Sequence, residues 1–247
     1  MLGSSRAGLY LHFENVVDAP HVVALLPTSS VRLPLAMVSA APLPTVGPGT
    51  AVEIGDGWLR VGADGWHTLR WFQPRPPDCG APRPALLEAA GRMLADLTDA
   101  HVGLSSSQAW AAAAALAAGD PEPCCAILGA GPGLTPAGDD VAAGALAGCV
   151  LSGTSPSPAA VAMLLSRARV ATTALSAALL ACAAAGQVVP QAAGFLRALT
   201  GAVPLAPALG QLRAVGSTSG TALAVGLVAA LGATRVEHPA VLPSPTA

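Results

Sequence analysis

The chain contains no lysine: all 12 basic residues among its 247 are arginines, set against 14 acidic residues, and charged side chains make up only 11% of the sequence. A net charge of −2 with no basic run excludes the broad positive surface that nucleic acid or an acidic membrane requires. The missing lysine also excludes a Walker A phosphate loop. Aromatic residues are equally scarce at 3%, whereas hydrophobic residues reach 53%. The core must therefore be built from Ala, Val and Leu, which favours closely packed helices of small residues.

Long hydrophobic runs are missing too. Mean hydropathy is +0.58, yet the apolar stretches 141–151 and 221–233 are too short to span a bilayer, and 158–185 carries Arg167 and Arg169 at mid-length. The opening MLGSSRAGLYLHFE has no continuous apolar region or cleavage signature, so the expectation is a cytoplasmic protein without a membrane span. Five cysteines form an odd set with no CxxC spacing and read as buried thiols. The five histidines share no HxH or HxxxH spacing, and there is no GxSxG elbow. A hydrolase triad is unsupported.

Residues 8–75 are written in short alternating or β-branched runs separated by Gly, Pro and Asp. In EIGDGWLRV, Asp56-Gly57 predicts a two-residue hairpin turn. The Pro-rich QPRPPDCGAPRP fits neither helix nor central strand. Beyond it the pattern is helical, with helices expected from Pro84 through Leu97, after Ser105–Ser107, and over 136–151, 158–185, 190–200, 205–214 and 220–232. The expected fold is α+β: an N-terminal antiparallel β-sheet or small barrel, then a C-terminal all-helical bundle. The expected organisation is a β-rich domain over 1–76, a hinge over 77–84, a helical domain over 85–235 and a tail over 236–247.

The stretch GAGPGLTPAGDD, residues 129–140, breaks this apolar background. Thr135-Pro136 predicts a helix start, with the Thr hydroxyl as cap and Pro in the first turn. Gly129, Gly131 and Gly133 then lead into a set of amide donors suited to an anion. Asp139 and Asp140 oppose an anion, which leaves two readings. Either the pair binds a cation such as magnesium that bridges to the anion, or it accepts hydrogen bonds from an amide or amine of the ligand. GSTSG before the last helix repeats the grammar: Gly220 stands six before Gly226 as Gly138 stands six before Gly144. Between these loops, Thr172, Thr173 and Ser176 are expected on one helix, with Arg169 one turn earlier as a possible oxygen clamp.

As an ordered set, GAGPGLTPAGDDVAAG, TTALSAALLACAAAG and VGSTSG resemble a bacterial protein family with a GLTPxGDD loop, a family that includes the smallest of three subunits assigned to the catabolic oxamate carbamoyltransferase of allantoin degradation. The resemblance covers roughly 45–235 and includes EIGDGWLRVG. It implies interconversion of oxalurate plus phosphate with oxamate plus carbamoyl phosphate, carried out with two partner subunits. The positions carried over are Gly131, Gly133, Leu134, Thr135, Pro136, Gly138, Asp139 and Asp140, then Thr172, Thr173 and Ser176, then Gly216, Ser219 and Gly220. Ser217 and Ala222 stand where the family pattern usually has His and Asp. The expected site has Asp139 and Asp140 as catalytic or magnesium-binding residues. Its expected ligand contacts are Gly131, Gly133, Leu134, Thr135, Gly138, Arg169, Thr172, Thr173, Ser217, Thr218, Ser219 and Gly220. The alternative is a non-catalytic small-anion-binding or scaffold subunit that has lost activity.

Overall fold

The structure, a computed structural model, describes residues 3–5, 8–13, 21–74, 88–89, 93, 97, 104–154 and 156–233. Seven strands come first: β1 (Gly3–Ser5), β2 (Gly8–His12), β3 (Val22–Pro27), β4 (Ala36–Ser39), β5 (Val52–Gly55), β6 (Trp58–Val61) and β7 (Asp64–His67). They form two open sheets, β1-β2-β3-β4 and β5-β6-β7. The β3–β4 pair is parallel and every other pair is antiparallel. No barrel closes. The Asp56-Gly57 hairpin forms as its residues dictate, with φ of 48° and 79° at the two turn positions. Leu69 and Trp71, expected in a strand, lie exposed beyond β7.

Alternation along the strands sorts the side chains into two cores. Leu9 and Leu11 of β2 and Leu25 of β3 pack with Leu59 and Val61 of β6, joining the sheets face to face. Trp66 adds a hydrogen bond from its indole N–H to Ser39 Oγ at 3.0 Å. Val22, Ala24 and Leu26, on the opposite face of β3, meet Leu175 and Cys182 from the helical part. The four-stranded sheet is thus covered on both sides.

The helices are α1 (Ser106–Ala117), α2 (Glu122–Ile127), α3 (Ala137–Ser152), α4 (Pro158–Ala171), α5 (Ala174–Ala184), α6 (Pro190–Leu199), α7 (Leu205–Arg213) and α8 (Ser219–Ala233). Glu88, Ala89, Met93 and Leu97 are helical as well, and the last three are buried. The 77–84 hinge and the 236–247 tail lie outside the described residues. The single helix expected over 158–185 is two helices. Thr172 interrupts it in extended conformation, φ −139° and ψ −173°, and Thr173 caps the second piece by accepting from Ser176 N–H.

α3 is buried on every side from Ala137 through Cys149, as its small apolar sequence from Val141 onward requires. Its most extensive partner is α8. The two approach so closely that a Cβ on Gly144 would collide with the Leu223 carbonyl and a Cβ on Gly226 with the Val141 carbonyl. Gly138 and Gly220 do the equivalent six residues earlier, against the Ile127 and Leu212 carbonyls at the ends of the preceding helices. The shared six-residue spacing therefore has a packing reason: each glycine removes a side chain where two backbones touch. Among the described residues no helix is long and apolar enough to cross a membrane.

Candidate functional site

The starts of α3 and α8 meet. Thr135 and Ser219 hydroxyls hydrogen-bond at 3.1 Å, so Thr135 reaches across to the other helix rather than capping its own. The residue at the cap position of α3 is Pro136, with no side-chain cap. The first-turn amides of α3 are also taken: Gly138 N–H donates to Ala130 O, and Asp139 and Asp140 N–H to Pro136 O. The donors left over are in the loops. Among the described residues, the amides of Gly131, Gly133, Leu134 and Thr135 find no backbone acceptor, nor do those of Ser217, Thr218 and Ser219. Gly131, Gly133, Leu134 and Ser217 are exposed, so these amides line an accessible rim.

The adjacent aspartates do different things. Asp139 is 1% exposed; its Oδ1 accepts from Gly129 N–H at 2.8 Å, and its Oδ2 accepts the Thr172 hydroxyl. It ties the loop and the α4–α5 break to the start of α3. Thr173 reinforces the same junction by donating to the Leu134 carbonyl at 2.6 Å. The break that the helical periodicity concealed is what frees both threonines to face the loop.

Asp140 is 7% exposed and turns toward α8, where the Ser219 hydroxyl lies close enough to its carboxyl to favour the ionised form. Its Oδ2 has no partner, and Asp140 is the one acidic or basic residue among the buried, unpartnered side chains of the described residues. Burial pushes its pKa up to about 7, the Ser219 hydroxyl pulls it down and the Asp139 charge pushes it up again.

The other expected residues are distributed unevenly. Gly138 and Gly220 are buried packing positions. Arg169 ends α4 with an exposed side chain and makes no ion pair with either aspartate. Ala222, two residues beyond Gly220 as Asp140 is two beyond Gly138, is fully buried, so the α8 side supplies no matching carboxyl. Both oxygens of Asp139 are already engaged, so the pair does not offer two free carboxylates to one cation. Among the described residues, no group of three or more His, Cys, Asp or Glu side chains comes together to hold a metal. No disulfide joins the four described cysteines, and burial pushes Cys124 up to about 12 and Cys149 and Cys182 to about 11, away from thiolate chemistry.

Volume alone points elsewhere. A hollow of about 510 Å³ runs along β5 and β6, lined by residues such as Trp58 and Ile54 and by the exposed Glu53–Arg60 ion pair. It belongs to the three-stranded sheet, across the four-stranded sheet from α5, and its polar groups are solvated. The α3–α8 junction has the buried unpaired carboxyl and the free amides, and chemistry outweighs volume here.

Residues 127–231 match the family model of oxamate carbamoyltransferase subunit AllH. The match supports the family resemblance over that stretch, which is less than half of the chain. The matched stretch begins at the last residue of α2 and ends within α8, enclosing both helix starts, the α4–α5 break and every loop amide named above. No curated protein and no solved structure matches the chain significantly.

Proposed function

We propose that this chain is a cytoplasmic subunit of an oxamate carbamoyltransferase-like complex with two other subunits, and that it binds small carbamoyl and carboxylate metabolites where α3 and α8 begin. The observation that carries the reading is the unpaired, buried Asp140 oxygen at that junction, inside the stretch that matches AllH. The amides of Gly131, Gly133, Leu134 and Thr135 and those of Ser217, Thr218 and Ser219 receive the ligand's oxygens. Asp140 is the side chain that touches it. Asp139, Thr172 and Thr173 position the loop.

Carbamoyl transfer from oxalurate to phosphate breaks a C–N bond and forms a C–O bond, with negative charge growing on the carbamoyl oxygen. Fixed backbone amides aimed at that oxygen stabilise this charge without reorganising, commonly the largest catalytic contribution. Direct transfer needs no protein nucleophile, in keeping with the raised thiol pKa values. Calorimetric titration of the purified chain with carbamoyl phosphate, oxamate and oxalurate, with and without magnesium, tests the site. Binding by wild type that Asp140→Ala loses is the expected result; binding unchanged in the variant places the ligand elsewhere.

A second reading, a non-catalytic anion-binding subunit, is favoured by one observation: Ala222 leaves the α8 side without a carboxyl. Turnover of oxalurate by the purified chain alone would sink that reading.

A further inference from the structure

Among the described residues the junction is poor in cations. α3 packs against α1, α2, α5 and α8. α1, α5 and α8 contain no acidic or basic side chain, and α2 contains only Glu122, which is exposed. Arg169 and Arg213, in the last turns of α4 and α7, are exposed. The charged group acting on Asp140 is Asp139, a neighbour of the same sign. An anion arriving here would meet two buried carboxylates, opposed only by the partial positive charge of helix starts.

Hydrogen-bond inventory sharpens the conflict. An ionised carboxylate only accepts, and the oxygens of a carboxylate or phosphate ligand also accept, so two such oxygens meet favourably only across a shared proton. Ser219 and Thr135 already bond to each other, with the Ser219 hydroxyl beside the Asp140 carboxyl. The Asp140 Oδ2 oxygen, buried and without a partner, is the atom that can carry that proton.

We infer that this site takes up an anionic ligand together with one proton, Asp140 in its acid form donating its O–H from Oδ2 to a ligand oxygen while its other oxygen stays beside Ser219. The inference rests on the ligand-binding reading above and adds the protonation state that goes with binding. The proton comes from solvent and neutralises Asp140, so negative charge in the buried region rises by one unit less than the ligand brings. The raised pKa of Asp140 is in keeping with this, since the proton is held with little cost near neutral pH before the ligand adds its own charge.

The test is calorimetric titration of oxamate into the full chain at about pH 7.5, in PIPES and in Tris, whose ionisation enthalpies differ. Proton uptake makes the apparent enthalpy differ between buffers in the sense of protons leaving the buffer. Affinity then falls by about tenfold per pH unit on the alkaline side. Asp140→Asn, with an amide N–H in place of the acid O–H, is expected to bind without proton uptake and without that pH dependence; its thermal transition checks that it is folded. Wild-type binding with no proton exchange, with proton release, or only in the presence of magnesium overturns this inference and leaves the binding reading standing. No heat with oxamate, oxalurate or carbamoyl phosphate in any buffer overturns both.

Discussion

Asp139 and Asp140 follow one another in the chain, yet successive helical residues point about 100° apart, and that rotation sends one toward the loop and the other toward α8. Asp139 finds an amide and a hydroxyl there. Asp140 finds one hydroxyl and a remaining oxygen without a partner. The difference has a thermodynamic signature. Asp140 has an unfolded reference near 3.8 and a folded pKa near 7, so the folded state binds its proton more tightly. Its contribution to stability is full below about pH 4 and is lost as the pH rises through about 7. Asp140→Asn lacks this dependence. Urea unfolding of variant and wild type at a series of pH values should show the variant gaining relative stability between pH 4 and pH 8, by up to about 4 kcal/mol. A constant difference across that range would show that Asp140 does not titrate there in the folded protein.

Helices α3 and α8 join through missing side chains. Gly144 and Gly226 each sit against a carbonyl of the opposite helix, so a methyl group at either position forces the pair apart. Gly144→Ala and Gly226→Ala are each expected to cost about 2–3 kcal/mol. The double variant should cost less than the sum, because the first substitution opens the space that the second needs. Thermal or urea denaturation measures all three; full additivity would mean that the two contacts are independent.

Much of this level was legible in advance. The hairpin at Asp56-Gly57 follows from two residues that tolerate positive φ, and the start of α3 follows from Pro136. The α4–α5 break did not show itself, because Thr172 and Thr173 are unremarkable in an apolar helical pattern. Extended backbone at Thr172 is fixed by tertiary partners, Asp139 for Thr172 itself and the Leu134 carbonyl for its neighbour Thr173. The Thr135 cap failed for the same kind of reason: a hydroxyl on a residue 84 positions away competed for it. The candidate site residues were visible as types, Gly, Thr and Asp, but their division into groups that hold the loop and groups left without a partner needed the third dimension.

At the scale of the molecule, the four-stranded sheet is the layer that both cores share. Leu175 of α5 packs on the β3 face that bears Val22, Ala24 and Leu26, and the opposite face packs on β6. Leu175→Ala removes most of a buried side chain from that contact and should destabilise the protein by about 2–5 kcal/mol. Circular dichroism reports chiefly on the helices, whereas in a Trp110→Phe background, which removes the tryptophan of α1, fluorescence reports on the β part through Trp58 and Trp66. If this contact couples the two, both signals move to lower temperature together in the variant; a shift in the helical signal alone would mean that they unfold separately.

The hydroxyl shared by Thr135 and Ser219 bridges residues 84 positions apart, and this has a consequence for how the protein is made. A ribosome finishes the loop and both aspartates long before α8 leaves the exit tunnel. Until then Asp140 has no serine, and Gly144 presents bare backbone with nothing laid against it. Over the roughly 80 residues between Asp140 and Ser219, about a third of the chain, the loop is made and its α8 partner is not, and a product terminated in that interval would have the whole glycine-rich loop and none of the junction that holds it.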